Sequence, residues 1–394
     1  MEHSLASGVG QFAALLGAAL AISIAAERIR IPAAVLLVAA GVFARTLWHV
    51  QPPFAFGPTM LFIFLPPLIF EAAWSLDLRQ LQANWLRVTI LAVPGTIFVA
   101  CLIGGVLSLS GALPLASALL FGAIVSATDP VAVVAVFRTV AVPTALRTIV
   151  EAESISNDGI AVVLYSIAVA LATGVSVSWA GASIGGIVAI AGGVAIGAAC
   201  AVPLWLALWT IDSSEYEVTA TLTLAYAAYV IADSLHCSGI FATAAAAISL
   251  RALLAQRAHL GYRDQVDGFW NAAAYMANAI VFLATGLLID PGRVLHEPLL
   301  IVVGLAVVLG SRAVLAVLIA SSLRDRATVF LAGMRGGLTM ALALALPESV
   351  RDRAPIIDAV FATVLVTLVA QGVPLRASVE RLYGRRAGSG VQPG

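Results

Sequence analysis

Residues Gly122 to Tyr165 read GAIVSATDPVAVVAVFRTVAVPTALRTIVEAESISNDGIAVVLY, so acidic and amide residues interrupt a mostly apolar stretch. These residues are Asp129, Glu151, Glu153, Asn157 and Asp158. A carboxylate at membrane depth costs about 3 kcal/mol on insertion scales, so a group of carboxylates there indicates a functional site. The rest of the chain must therefore decide whether this stretch lies inside a membrane.

The composition indicates a polytopic membrane protein. Of the 394 residues, 61% are hydrophobic and 11% are charged, whereas soluble proteins have about 25% charged residues. No polar run is long enough to form a soluble domain, so we predict one membrane domain, residues 1–375, and a short basic tail, residues 376–394. Membrane lipid is therefore an expected partner. The 21 basic residues are all arginine and are scattered through short loops, so nucleic acid is not an expected partner.

Apolar windows of about 20 residues predict thirteen transmembrane helices and an all-α fold. They lie near residues 9–26, 31–46, 58–76, 86–109, 114–137, 147–172, 179–209, 217–233, 236–254, 269–289, 298–321, 327–346 and 356–375. With the N-terminus outside, 15 arginines fall in the cytoplasmic loops and tail and 4 fall outside. The positive-inside rule demands this asymmetry, so we predict an outside N-terminus and a cytoplasmic C-terminus.

Two of these segments are interrupted by polar residues or glycines. The fifth contains Thr128, Asp129 and Pro130, and the twelfth contains Arg335 among three glycines. With the seventh segment as a linker, the two interruptions occupy corresponding positions in two halves of the chain, which is typical of transporters with inverted repeats. Thr128 or Asp129 can cap a half-helix that begins at Pro130. A role for Asp129 as a cap alone is an equal alternative on this pattern.

Spacing in the sixth segment divides its polar residues between two faces. Ser154 and Asp158 lie four residues apart and share one face, while Glu153 and Asn157 form a second pair about 100° around the helix. The first face offers oxygen ligands for a hard cation. The second face offers a carboxylate and an amide to a buried cation, so we predict that Glu153 and Asn157 pair with Arg335.

Asp158 lies in an apolar helix, where a bare carboxylate is costly. It must therefore be either protonated or paired with a cation. One anionic site that carries either a cation or a proton couples the two fluxes as exchange and not as co-transport.

Three further charged residues have two interpretations each. Glu151 lies two turns before Asp158 on the same face, but it is better explained as a first-turn acid favoured by the helix dipole. Arg312 in the eleventh segment either contacts the ion directly or is structural, and we favour a structural residue that satisfies a broken-helix carbonyl or extends to the interface. Glu71 closes the third segment, and it either points towards the site or lies at the interface beside Arg79.

Five motifs together resemble the sodium/proton antiporters of the cation/proton antiporter superfamily, in the branch of NhaP-type proteins and animal sodium/proton exchangers. They are SATDPVAVVAVF, EAESISNDGIAVVLY, FLPPLIFEAAW, LHCSGIFATAAAAI and AGMRGGLTMALALALP. The resemblance covers nearly the whole apolar chain. It implies a homodimer in which a transport core, built around residues 114–137, 147–172 and 327–346, moves against a dimerising scaffold. We expect this protein in a prokaryotic inner membrane, with no cofactor and no enzymatic activity.

The resemblance also implies residue roles. It assigns the sodium and the proton to Asp158, and the remaining sodium ligands to the Thr128 carbonyl and the Ser154 hydroxyl. Asp129 and Glu71 also belong to the implied cation-binding set, Asp129 as the water-linked or charge-compensating acid of the crossing and Glu71 as an acid that reaches the site through water. The residues that brace the site are Glu153, Asn157 and Arg335. Because Asn157 stands where electrogenic relatives have a second aspartate, the resemblance implies electroneutral exchange of one cation for one proton.

Other functions fit the residues less well. A potassium/proton exchanger would use the same site, and the motifs do not separate sodium from lithium or potassium. A passive cation channel would need a continuous polar path. An intramembrane aspartyl protease would share two buried aspartates, but its GxGD motif is absent from the chain. The family's glycine before Glu153 is Ala152 here, a change that we expect the fold to accept.

Overall fold

The computed structural model describes residues 2–29, 31–50, 58–129, 133–134, 136–137, 140–208, 213–255, 263–289, 292 and 297–384. Its helices are α1 (Glu2–Ile29), α2 (Ala33–Trp48), α3 (Pro58–Ser75), α4 (Leu78–Leu109), α5 (Leu115–Ser126), α6 (Thr144–Ala172), α7 (Trp179–Leu208), α8 (Ser214–Ser234), α9 (Gly239–Leu254), α10 (Arg263–Leu288), α11 (Pro298–Ile319), α12 (Leu323–Leu331), α13 (Gly337–Leu344) and α14 (Arg353–Tyr383). Helices α4 and α14 each contain a π-helical turn, at Leu91–Gly95 and Leu368–Gly372. Pro130, predicted to begin a half-helix, lies outside the described residues, as do residues 385–394 of the tail.

Seven of the described helices are long and apolar enough to cross a membrane, namely α1, α4, α6, α7, α10, α11 and α14. Shorter apolar helices accompany them in α2, α3, α5 and α9. Each predicted apolar segment overlaps a described helix. The predicted all-helical membrane architecture is therefore confirmed.

Both predicted interruptions are present. Helix α5 ends at Ser126, and Ala127 is extended, with φ −61° and ψ 139°. Helix α12 ends at Leu331 and α13 begins at Gly337, and the residues between them, AGMRG, are not helical. Glycine has nearly the lowest helix propensity, which explains why the glycines of AGMRGG mark this break.

The helices pack as two groups. Group 1 consists of α4, α5, α6, α11, α12, α13 and α14, and group 2 consists of α1, α2, α3, α7, α8, α9 and α10. Helices within a group pack closely, whereas contacts between the groups run mainly through α3, α6, α7, α9, α10 and α13. Both interrupted segments belong to group 1 and lie next to α6, so the polar residues of α6 are brought to the breaks.

Helices α2 and α10 of group 2 are in backbone contact at two glycines. A Cβ atom added to Gly41 would lie 2.8 Å from the Gly286 Cα, and one added to Gly286 would lie 2.8 Å from the Gly41 Cα. Small residues allow transmembrane helices to approach this closely, and the gain is van der Waals contact between backbones. Positions 41 and 286 therefore have no room for a side chain where α2 contacts α10.

We expect Gly41→Ala to destabilise the protein by about 1–3 kcal/mol, because the new methyl group overpacks the contact with α10. Gly105 in α4 has open space around a new Cβ atom. Gly105→Ala should therefore stabilise the protein slightly, since alanine restricts the unfolded chain. Thermal unfolding of the purified protein in detergent measures both changes, and equal melting temperatures for the two variants would contradict the close contact.

Candidate functional site

The two interrupted segments cross and satisfy each other's backbone groups. The Asp129 N–H donates a hydrogen bond to the Met334 carbonyl at 2.9 Å. Arg335 Nη1 donates to the Ala127 carbonyl at 3.3 Å, and Thr339 Oγ1 donates to the same carbonyl at 3.5 Å. Carbonyls at a helix C-terminus lack helical partners and carry partial negative charge. Arg335 therefore satisfies a backbone acceptor and also balances the dipole of α5.

Gly336 leaves space for the Asp129 carboxylate beside the break. A Cβ atom added at Gly336 would lie 2.5 Å from Asp129 Cγ. The φ angle of Gly336 is −142°, which other residues also adopt, so glycine is needed here for space and not for backbone freedom. Asp129 is thereby held within the crossing, where it is only 8% exposed.

Thr128 connects the broken end of α5 to α6. Ser154 Oγ donates to the Thr128 carbonyl at 2.7 Å, and the two hydroxyl oxygens lie 2.9 Å apart. Asn157 Nδ2 donates to Thr128 Oγ1 at 2.7 Å, and the Thr128 N–H donates to Asn157 Oδ1 at 3.3 Å. Asn157 Oδ1 and Ser154 Oγ thus replace the helical partners that the break removes from the Thr128 N–H and from the Thr128 carbonyl. Thr128 and Ser154, which the resemblance assigns to the same cation, are therefore in contact, and Asn157 is a further partner of Thr128 that the sequence did not predict.

Asp158 and Asp129 line a cavity of about 40 Å³ at the boundary between the two helical groups. The lining also includes Leu65, Ile69, Thr128, Asn278, Gly336 and Thr339. One water molecule needs about 10–15 Å³ of such volume. A cavity of about 40 Å³ can therefore hold a small cation together with part of its hydration shell. Asp158 is 5% exposed, and its Oδ1 has no hydrogen-bond partner among the described residues. A buried carboxylate oxygen of this kind requires a proton or a cation to replace its lost hydration.

Glu153 forms a buried ion pair with Arg312. Arg312 Nη1 lies 3.0 Å from Glu153 Oε1 and 3.1 Å from Oε2, and Arg312 Nε donates to the Val329 carbonyl at 3.0 Å. Asn157 Nδ2 donates to Glu153 Oε1 at 3.2 Å, so the predicted pair on the second face of α6 is confirmed. Arg312 therefore connects its own helix, α11, to α6 through Glu153 and to α12 through the Val329 carbonyl.

The predicted ion pair between Arg335 and Glu153 is wrong. The Arg335 guanidinium donates to the Ala127 carbonyl, and the Arg335 backbone N–H donates to Thr367 Oγ1 at 3.3 Å. Arg335 nevertheless lines one small cavity together with Glu153 and Arg312, so both guanidinium groups lie near this carboxylate. Arg312 does satisfy a backbone carbonyl near the end of α12, as predicted for a structural residue. The sequence did not predict that Arg312 is also the direct partner of Glu153.

The two other candidate acids, Glu151 and Glu71, have different outcomes. Helix α6 begins at Thr144, so Glu151 lies in the second turn and is not a first-turn acid. It is buried, and Arg147 Nε donates to its Oε1 at 2.7 Å. Glu71 on α3 is half-buried and is not among the residues that line the 40 Å³ cavity. Its contribution through water stays a prediction.

A larger cavity of about 510 Å³ lies between the two helical groups at one end of the molecule. Its charged lining residues are Asp77, Arg79, Arg147, Glu151, Glu217 and Arg251. Glu151 precedes Asp158 by two helical turns on the same face of α6, a distance of about 10 Å along the axis. The cavity therefore approaches the candidate site from the end of the molecule that carries these arginines.

Sequence reasoning missed Asn278, which lines the 40 Å³ cavity from α10. It also missed the contribution of Arg312 to the site. The signal for both was available, because each is a polar residue in an otherwise apolar segment. The spacing within one helix could not identify their partners, since these lie on other helices.

Comparison with known proteins gives concordant matches. The model of the family "Sodium/hydrogen exchanger, transmembrane" matches residues 14–381. The low-affinity Na⁺/H⁺ antiporter NhaS1 of Synechocystis sp. is 32% identical over 393 residues, which cover 94% of this chain and 74% of that protein. The Na⁺/H⁺ antiporter NhaH of Halobacillus dabanensis is 31% identical, over 83% of this chain and 84% of that protein. The solved structure of the sodium proton antiporter MjNhaP1 from Methanocaldococcus jannaschii has a TM-score of 0.78 at 22% identity, covering 96% of this chain and 99% of that one, and supports the fold.

Removing either charge of the Glu153–Arg312 pair leaves the other buried without its partner. We therefore expect Glu153→Gln and Arg312→Gln each to destabilise the protein by about 3–5 kcal/mol, and the double variant to lose less than the sum. Unfolding of the purified variants in detergent measures this coupling energy.

The pair Arg376–Glu380 is the matched control. Its atoms lie 3.3 Å apart, but its side chains are 31% and 22% exposed. A coupling energy below about 1 kcal/mol is expected for such a pair. If the changes at Glu153 and Arg312 add as independently as those at Arg376 and Glu380, the buried pair does not stabilise the site.

Proposed function

Because the chain belongs to the sodium/hydrogen exchanger family, we propose that it is a secondary antiporter that exchanges sodium, or the smaller lithium ion, for protons. The observation that carries this proposal is the buried Asp158 carboxylate, whose Oδ1 has no described partner and which lines a cavity beside a broken helix. We expect neither enzymatic activity nor a cofactor. Sodium is the cargo, and among the described residues no group of three or more His, Cys, Asp or Glu side chains could hold a resident metal.

The cation ligands are the Asp158 carboxylate, the Thr128 carbonyl and the Ser154 hydroxyl. All three supply oxygen, which suits a hard monovalent cation. The contact between Ser154 and Thr128 supports this set, since the 2.7 Å hydrogen bond holds the two oxygens together. Asp129 adds negative charge to the same cavity and favours a cation there.

The charge of the buried cluster supports electroneutral exchange. Three carboxylates, of Asp129, Glu153 and Asp158, lie with two guanidinium groups, of Arg312 and Arg335, and all five side chains are less than 10% exposed. One sodium ion or one proton therefore neutralises the cluster. Movement of the empty, charged cluster through the membrane would be costly, so sodium and protons cross only in exchange for each other.

The two helical groups support a division into a transport core and a scaffold. The described helices within the expected core residues 114–137, 147–172 and 327–346 belong to group 1, and the 40 Å³ cavity lies at its boundary with group 2. We propose that group 1 moves against group 2 and that group 2 forms a homodimer, which mass measurement of the detergent-solubilised protein can test. The thirteen-helix count and the inverted repeats around the two crossing breaks belong to the same proposal.

The nearest alternative is a potassium/proton exchanger with the same site. A passive cation channel is a second alternative of a different class. A channel would dissipate the membrane potential and would not move protons in return. Cation titration and potential measurements in one vesicle system separate all three functions.

The exchange assay provides the decisive prediction. Proteoliposomes that contain the wild-type protein should move protons when sodium or lithium is added, without generating a membrane potential. Because cation and proton compete for Asp158, the apparent sodium affinity should weaken as the pH falls. Asp158→Asn should abolish exchange, since the amide binds neither a proton nor a cation tightly.

The control for folding is the Asp158→Asn protein itself, which should elute from size exclusion at the wild-type volume. Sodium-dependent proton movement by that variant would refute the assignment of Asp158. An apparent sodium affinity that does not change with pH would rule out a shared site. Stronger activation by potassium than by sodium would favour the alternative exchanger.

Orientation can be tested separately. The 15-to-4 arginine asymmetry supports an outside N-terminus and a cytoplasmic C-terminus in a prokaryotic inner membrane. A fluorescent protein that matures only in the cytoplasm, fused after Tyr383, should fluoresce, and alkaline phosphatase, which is active only outside, should be inactive there. The opposite pair of results would reverse the orientation.

A further inference from the structure

Asn278 lies on α10 of group 2, and it faces the polar residues of group 1 across the 40 Å³ cavity. Its side chain is 8% exposed. It occurs in the sequence YMANAIVFLATG, in which the residues on both sides are mostly apolar. A polar side chain in a membrane helix is expensive to bury, so its position at the cavity calls for a chemical reason.

The hydrogen bond of Asn278 fixes the orientation of its amide. Asn278 Nδ2 donates to the Ala274 carbonyl at 2.9 Å, and this is the one hydrogen bond that the side chain makes among the described residues. A carbonyl can only accept, so the amide atom that faces Ala274 must be the nitrogen. The carbonyl oxygen, Oδ1, is therefore the amide atom available to the cavity.

We propose that Asn278 Oδ1 is a further ligand of the transported cation, supplied by the helical group opposite to that of Asp158. This inference rests on the proposed function. An amide oxygen is a neutral, hard ligand of the type that alkali and alkaline-earth cations accept. Asp158 and Thr128 line the cavity from group 1 and Asn278 lines it from group 2, so a cation there has ligands on both sides of the boundary between the groups.

The chemistry of the amide separates the cation from the proton. An amide oxygen can coordinate sodium, but it does not take up a proton in the range in which carboxylates titrate. Asn278 therefore strengthens the binding of sodium without strengthening the binding of its competitor. A carboxylate at this position would favour both ions, so the neutral side chain makes Asn278 a specificity-determining ligand.

Kinetics of exchange in proteoliposomes test this role. Asn278→Ala and the isosteric Asn278→Leu should each weaken the apparent sodium affinity about tenfold, the order expected when a charged group loses one polar contact. The pH at which protons double the KM for sodium should stay at the wild-type value, because proton binding to Asp158 is unchanged. The ratio of apparent affinities for sodium, lithium and potassium should also change.

Asn271 provides the matched control on the same helix. Its Nδ2 donates to the Asp267 carbonyl at 2.7 Å, as Asn278 does to Ala274, but its side chain is exposed and does not line the cavity. Asn271→Ala should keep the wild-type KM and ion ratio. A structural role for Asn278 would lower the maximal rate or the melting temperature while leaving the KM and the ion ratio unchanged.

The outcomes separate the two proposals. If the wild-type protein exchanges sodium for protons but a folded Asn278→Ala or Asn278→Leu variant has the wild-type KM and ion ratio, the ligand assignment is overturned. The same holds if the pH midpoint moves together with the KM, since Asn278 would then act on Asp158 and not on the cation. If the wild-type protein itself does not exchange, the proposed function fails, and the ligand assignment fails with it.

Discussion

The site depends on how backbone groups are satisfied where two helices break inside the protein. A break at membrane depth is tolerated only when protein or enclosed water supplies the missing partners. Here the Asp129 N–H bonds to the Met334 carbonyl and the Arg335 guanidinium bonds to the Ala127 carbonyl, so each break supplies partners for the other. Neither interruption would be stable alone, and the polar side chains that close the crossing are among those that form the proposed cation site.

Helix α6 converts this crossing into a site with defined geometry. The Asn157 amide donates to Thr128 Oγ1 and accepts from the Thr128 N–H, and the Ser154 hydroxyl donates to the Thr128 carbonyl. These contacts fix the position of the Thr128 carbonyl relative to the carboxylate of Asp158, which lies one turn after Ser154 on α6. Arg312 then fixes α6 through Glu153, so a residue with no contact to the cavity of Asp158 determines the position of the helix that carries it.

Local patterns in the sequence were sufficient for the helices, the two breaks and the faces of α6. The glycines around Arg335 and the TDP sequence after α5 weaken a helix whatever surrounds them, so the breaks could be located without tertiary information. The partner of Glu153 could not, because Arg312 and Arg335 both interrupt apolar segments and their reach depends on how α11, α12 and α6 cross. Glu151 was assigned to the first turn because the apolar window begins at residue 147, whereas the helix begins directly after Pro143.

The balance of buried charge explains why an asparagine at position 157 matters. With Asn157, the cluster has one more carboxylate than guanidinium groups, and a single monovalent cation or proton makes it neutral. A carboxylate at the same position would leave two uncompensated charges, and it would also lose the Nδ2 donor that holds Thr128 Oγ1 at 2.7 Å. Two positive charges, and not one, would then have to bind before the cluster became neutral and could be moved at the same low energetic cost. One neutral amide therefore links the geometry of the broken helix to the electroneutral exchange that we propose.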